Sequence, residues 1–187
     1  MEKLSPRERI RAAARRLFNA GGPHVGVDQI IAESGVAKRT FYHHFPSKTA
    51  LLAEFFRERD EVWIARLERH ASAPGKSPLE RVLGLFDGLK EWFAEPDFFG
   101  CCFIRGLSDF GPEGAADPVL AGCVREHFQR TEKLVVGLLK PLRPKDYKAF
   151  VPRIASLMVG ATVMAHATGD VRVADVNKEM ARIILAD

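Results

Sequence analysis

The sequence predicts an all-α protein of about nine helices. Three observations carry that prediction. Apolar residues recur at three- and four-residue spacing through most of the chain. The helix-start pattern Ser-Pro-x-Glu occurs at Ser5 and again at Ser77. No segment combines strand alternation with turn signals, and no internal repeat is present.

Ser5-Pro6-Arg7-Glu8 opens the first helix, with serine as cap, proline at the first helical position and Glu8 reaching back. Ile10, Ala13, Ala14, Leu17 and Phe18 form its apolar stripe, and Gly21-Gly22-Pro23 stops it. A short helix follows over Val27, Ile30, Ile31 and Ser34, ended by Gly35. A second short one spans roughly Lys38 to His44 and ends before Pro46. Two short helices joined across Gly35-Val36 form a helix-turn-helix pattern, which needs a tight turn. Ser47 caps a longer helix carrying Leu51, Leu52, Phe55, Phe56, Val62, Trp63 and Leu67. After the Ala73–Lys76 loop, Ser77-Pro78-Leu79-Glu80 starts a helix that buries Val82, Leu83, Phe86, Leu89, Trp92 and Phe93 until Pro96. The stretch Asp97–Pro118 is glycine-rich, with one short helix near Cys101–Leu107. A long helix from about Val119 to Leu139 stops at Pro141 and Pro144. Another runs from about Asp146 to Thr168 with Pro152 in its first turns, and a last one from Asp175 to Leu185.

Composition narrows the class. Among 187 residues, 47% hydrophobic content excludes a disordered chain, and 28% charged residues suits a soluble one. Cys101, Cys102 and Cys123 cannot all pair, and two are adjacent, so a reducing cytoplasm is expected rather than a disulfide framework. Five arginines crowd the start (Arg7, Arg9, Arg11, Arg15, Arg16) with no apolar signal region. The longest charge-free stretch, Ile154–Gly169, is too short and too polar to span a bilayer. Charge is uneven: residues 1–48 hold nine Lys/Arg against four Asp/Glu, and the rest nineteen against twenty. Such a segment is either a solvated basic face or an electrostatic footprint for a phosphate backbone.

The run from Gly26 to Lys48 (GVDQIIAESGVAKRTFYHHFPSK) resembles the DNA-binding signature of the TetR/AcrR family of transcriptional regulators. Glycine at the turn, Thr40-Phe41-Tyr42 on the second short helix and Phe45 before Pro46-Ser47-Lys48 make it specific. The resemblance covers roughly residues 7–52; beyond it, helix number and length alone match. It implies a three-helix helix-turn-helix DNA-binding domain over residues 1–48 and an effector-binding and dimerisation domain over 49–187.

The residues make physical sense without the family. Val27, Ile30, Ile31, Val36, Phe41 and Phe45 fall where crossed short helices bury a small core. Lys38, Arg39, Thr40, Tyr42, His43 and His44 are left on the outward side, where basic and hydroxyl groups meet phosphates and base edges. Lys48 opens the next helix, where an ammonium and free backbone N–H groups can meet one phosphate. Two positions depart from the family pattern. Gly26 stands where a hydroxyl cap is usual, so that cap and its phosphate contact are missing. Arg39 stands where a small residue is frequent; it reaches either guanine O6 and N7 or a phosphate.

The C-terminal part carries no CxxC, HExxH, GxSxG or P-loop pattern, so no enzyme, cofactor or metal is expected. His70, His127 and His166 lack metal-ligand spacing. Cys101-Cys102 reads as packing in a short helix, with a thiol sensor as the competing interpretation. Most aromatics are core, but the resemblance implies a small apolar or amphipathic effector, with Trp63, Phe86, Phe103, His127 and Met164 expected to line its pocket. It also implies a homodimer through the last two long helices. Ile154, Leu157, Met158, Gly160, Ala161 and Ala165 are the expected interface, although burial in the chain's own core would also explain that stripe. The function this predicts is a cytoplasmic homodimeric repressor, released from a palindromic double-stranded operator by its effector. The alternative is a thiol-redox sensor or small-molecule-binding protein with a basic N-terminus.

Overall fold

The computed structural model describes residues 4–110, 117–143 and 145–186. Those residues form nine α-helices and one 3-10 turn, with no strand among them. In order they are α1 (Pro6–Gly21), the 3-10 turn (Gly22–His24), α2 (Val27–Ser34), α3 (Lys38–His44), α4 (Lys48–Ala71) and α5 (Pro78–Phe93). They continue with α6 (Cys102–Phe110), α7 (Pro118–Leu142), α8 (Tyr147–Thr168) and α9 (Val173–Ala186). Both Ser-Pro-x-Glu signals form reciprocal caps. The Glu8 amide donates to Ser5 Oγ at 3.3 Å and the Ser5 amide to Glu8 Oε2 at 2.8 Å. Ser77 and Glu80 repeat the arrangement. Ser47 Oγ accepts from the Ala50 amide at 3.0 Å and so starts α4.

The chain divides into two compact units. One comprises the described residues of Met1–Asp60 and Cys102–Glu126, the other those of Glu61–Cys101 and His127–Asp187. Helices α4 and α7 contribute residues to both.

In the first unit Ile10, Ala13, Phe18, Ile30, Phe41, Leu51, Phe56 and Phe103 are buried. Phe18 packs on Phe55 with ring centroids 5.5 Å apart, and Phe56 on Phe103 at 5.2 Å. Helix α6 grips the end of α1, where Arg105 Nη2 donates to the Asn19 carbonyl at 2.7 Å. Asp117 joins the starts of α7 and α4: Oδ1 accepts from the Val119 and Leu120 amides, and Oδ2 accepts from the Thr49 hydroxyl at 2.9 Å.

In the second unit the core gathers Leu67, Leu85, Phe86, Leu89, Leu139, Ile154, Ala161 and Ala181 from α4, α5, α7, α8 and α9. Gly84 permits the close approach of α5 to the end of α4. A Cβ there would lie 2.5 Å from the His70 carbonyl oxygen, so no larger residue fits without displacing backbone.

Three features differ from the sequence expectation. Pro141 does not stop α7 but sits in its last turn, where its missing N–H forfeits one hydrogen bond and the helix ends one residue later. Pro144 lies outside the described residues. The charge-poor stretch, expected to be too short and too polar to span a bilayer, lies in the 22-residue helix α8, whose most apolar 18-residue window has a mean hydropathy of 1.3, long and apolar enough to cross a membrane by those measures. Of its most apolar window, 39% is buried inside the protein, so one face packs in the core and another is exposed; its length and composition are weak evidence for a membrane.

The third difference concerns the expected subunit interface. Ile154, Met158, Ala161 and Ala165 are buried in the chain's own core, Leu157 is half-buried, and Gly160 is exposed. The first four therefore form the inward face of α8, a correction to the predicted stripe. The outward apolar face is instead Val159, Val163 and Met164 of α8, with Val176, Met180 and Ile183 exposed on α9. Helix α8 is apolar nearly all round, so periodicity alone does not choose which face looks inward.

Candidate nucleic-acid interface

The site begins with a small closed core. Ile30 and Phe41 are wholly buried, Val36 and Phe45 nearly so, and Val27 and Ile31 half-buried. Gly35 ends α2 with φ 61, ψ 30, and its amide donates to the Ile31 and Ala32 carbonyls at 3.1 and 3.3 Å. That left-handed conformation, natural to glycine, turns the chain sharply enough for Ala37 to cap α3 three residues after α2 ends. Gly26 caps α2 with extended backbone and no side-chain hydrogen bond, so the hydroxyl cap is absent as the sequence implies.

With Phe41 held inward, the rest of α3 turns out. Lys38, Arg39, Tyr42 and His43 are exposed, while Thr40, His44 and Lys48 are half-buried. These seven residues lie on α3 and the first position of α4, on a stretch of eleven consecutive residues. Tyr42 stands edge-on to Phe41 at 5.2 Å, which restrains its ring, and it keeps 45% of its surface exposed. The His43 and His44 rings lie 5.1 Å apart near the end of α3. Lys38 Nζ is 3.7 Å from Asp28, a loose and exposed pair. Arg39 and Lys48 have no hydrogen-bond or ion-pair partner among the described residues.

The basic stripe of α1 is, by contrast, already engaged. Arg7 pairs with Glu54 at 2.6 Å, and Arg11 with Glu54 and Glu58 at 3.1 and 2.9 Å. Arg15 reaches Glu58 at 4.0 Å, and Arg16 meets Glu33 at 2.7 Å. The Glu58 hydrogen bond raises the Arg11 guanidinium above its ordinary value. Arg9 Nη1 donates to the carbonyls of Ser34 and Gly35 at 3.3 and 3.2 Å. Sequence reasoning missed these pairings. The available signal was register: Arg7, Arg11 and Arg15 repeat every four residues, as do Glu54 and Glu58, so each set lines one helix face.

The residues expected to line an effector pocket fall into both units. Phe103 is buried in the first, against Phe56. Trp63, Phe86, His127 and Met164 belong to the second. Trp63 donates from Nε1 to Thr131 Oγ1 at 3.0 Å, stands edge-on to Trp92 at 5.2 Å and lies 6.1 Å from the His127 ring. Phe86 and His127 are buried, whereas Met164 is half exposed on the outer face of α8. Cys101 and Cys102 are half-buried and form no disulfide, and burial pushes the Cys123 thiol up. Among the described residues no group of His, Cys, Asp and Glu is placed to hold a metal ion.

Comparison with known proteins follows the same geometry. The family model described as bacterial regulatory proteins, tetR family, matches residues 10–55, which span α1, α2, α3 and the start of α4. The chain is 30% identical over 137 residues to the transcriptional regulator AcuR of Cereibacter sphaeroides, a match covering 70% of this chain and 61% of AcuR. The chain thus spans about three fifths of that relative's length. A TetR-family transcriptional regulator from Streptomyces coelicolor has the same fold with TM-score 0.87 and 26% identity, covering 97% of this chain and 95% of that one. A TetR regulator from Chloroflexus aurantiacus shares the fold at TM-score 0.83 and 21% identity, covering 97% and 94%.

Proposed function

The chain belongs to the TetR family of bacterial regulatory proteins, and on that footing we propose that it is a cytoplasmic transcriptional repressor that binds a palindromic operator as a homodimer and is released by a small apolar or amphipathic effector. Residues 1–48 supply DNA binding and 49–187 effector binding and dimerisation. One observation carries the DNA part. The arginines of α1 are engaged within the protein, while the outward edge of α3 and the start of α4 keep Arg39 and Lys48 available. Helix α3 is the recognition element. Lys38, Arg39, Thr40, Tyr42, His43 and His44 face the duplex, and Lys48 meets a phosphate.

The outward apolar face of α8 and α9 supports a dimer. Val163, Met164, Val176 and Ile183 each keep about half or more of their surface exposed in the single chain. A contiguous apolar face of that kind marks a surface that another protein covers. Two-fold pairing then places two recognition helices about 34–36 Å apart, or a multiple, on a palindrome. The effector site is assigned to Trp63, Phe86 and His127 of the second unit, whose aromatic rings and buried imidazole suit an apolar ligand bearing one polar group. The thiol-sensor alternative, which rests on Cys101 and Cys102, is not favoured, since the family model and the relatives point to a transcriptional regulator.

The test is fluorescence anisotropy of the full chain on duplex DNA from its own upstream region and on random duplex of equal length. At physiological salt the upstream DNA should bind on the order of 10³-fold or more tightly, and the preference should survive competitor. Equal affinity for both duplexes across the salt range refutes the regulator reading.

A further inference from the structure

Helix α2 has eight residues and ends on Gly35, whose amide satisfies the Ile31 and Ala32 carbonyls. The last carbonyls of a helix have no partner within it, and a cation placed there is favoured by the helix dipole. Arg9 of α1 fills that place. A single nitrogen, Nη1, donates both to Ser34, the last residue of α2, and to Gly35, the turn residue itself. Two residues later the backbone enters α3 through its cap Ala37. The contact therefore spans the hinge between α2 and α3 and fixes it to the scaffold helix α1. Gly35 is also the most permissive residue of the turn, so an external restraint acts there on the conformation with the greatest freedom.

We propose that Arg9 is a positioning residue for DNA recognition: its guanidinium latches the α2–α3 turn to α1 and so sets the presentation of the recognition helix without touching DNA. The role rests on the DNA-binding reading above. It differs from that of the other α1 arginines, which meet carboxylates of α4 and α2 rather than backbone. The Ser34 side chain is already committed to the Ile31 carbonyl at 3.1 Å, so it offers the turn no substitute donor. Because both bonds come from one nitrogen, a lysine ammonium can replace much of the contact, whereas a planar bidentate pairing would not tolerate that exchange.

The test compares wild type, Arg9→Ala, Arg9→Lys and Arg9→Gln as full chains, with two readouts. The first is amide hydrogen exchange of Gly35 in the DNA-free protein. It should accelerate in Arg9→Ala and return towards wild type in Arg9→Lys; unchanged Gly35 exchange in Arg9→Ala overturns the latch whatever the DNA result. The second is the preference for upstream over random duplex and its salt dependence. Arg9→Ala should lower the preference about three- to tenfold, the range that corresponds to the net worth of one ordinary hydrogen bond. The slope of log affinity against log salt should stay at the wild-type value. A slope shallower by about 0.9 per subunit identifies Arg9 as a phosphate contact instead and overturns the positioning role. If Arg9→Ala does not fold, Arg9→Gln, which keeps part of the stem, is read by the same criteria. A wild-type protein that prefers no duplex refutes the DNA-binding reading, and Gly35 exchange then decides the latch separately.

Discussion

Val163→Asp tests the outward face of α8 as the dimer interface. Val163 keeps 47% of its surface exposed in the single chain, so pairing has about half a valine left to bury. Full burial of such a side chain is worth about 1.5–3 kcal/mol, which leaves roughly 1 kcal/mol per subunit to lose. The larger effect is the carboxylate, whose removal from water costs several kcal/mol when no cation meets it. Two-fold symmetry makes each loss occur twice. The sum exceeds about 4 kcal/mol, or about three decades in the dimer dissociation constant. Sedimentation velocity over a dilution series should therefore show monomer where the wild type is dimer, with the circular dichroism melt little changed. Met158→Asp is the contrasting case. Met158 is 3% exposed and sits in the chain's own core, so the charge should unfold the second unit rather than split a dimer. A Val163→Asp protein that remains dimeric at the wild-type concentration refutes the assignment of this face.

Other expectations are read in separate assays. Arg39→Ala should cost about 1–3 kcal/mol at one base pair per half-site and relax selection there in a randomised operator library; a uniform loss across the library makes Arg39 a phosphate contact. Lys48→Ala should weaken all duplexes alike and reduce the salt slope by about 1 per subunit. Glu91 is held down to about 2 by the Arg69 guanidinium and then by His70, which both hydrogen-bond it. A depressed carboxyl contributes stability above its ordinary value of 4.5 that disappears as pH falls through about 2. Urea midpoints should thus fall over that window in the wild type and much less in Glu91→Gln. Replacing Cys101 and Cys102 with serine should leave operator release by the effector intact; peroxide-triggered release seen in wild type and lost in the double variant would favour the thiol sensor.

The sequence made local structure readable because its signals are local. Ser5 with Glu8, and Ser77 with Glu80, are three residues apart, and both form the caps they spell. The helix-turn-helix was equally legible, since Gly35 marks the turn and Ile30, Val36, Phe41 and Phe45, expected in a shared core, are all buried. Legibility failed where the deciding contact was distant. Nothing near Arg9 in the chain announces that its partners are 25 and 26 residues away. Arg105 and its acceptor Asn19 are 86 apart. Helix α8 failed for another reason: with few polar residues to mark a solvent side, its inward face is set by what α5 and α9 offer. The residues lining an effector pocket remain an expectation, because aromatics that pack a core and aromatics that line a cavity share one spacing.

The charge asymmetry shows how such distant pairing changes a functional argument. An excess of five positive charges in residues 1–48 looks like a footprint for phosphate. Four of the five arginines on α1 meet carboxylates, and the two on α4, Glu54 and Glu58, lie beyond residue 48 and so escape that count. The fifth, Arg9, is spent on backbone. Among the described residues, those left for a duplex on the proposed function are Lys38, Arg39 and Lys48 with the two histidines of α3, all within residues 38–48. The α1 arginines act instead as ties that hold α1 to α2 and α4, so α3 is carried by a frame whose basic groups are already paired. A frame of that kind adds little unspecific attraction of its own. On the function proposed above, discrimination between operator and other DNA then depends on the few groups α3 presents and on how firmly the turn before it is held.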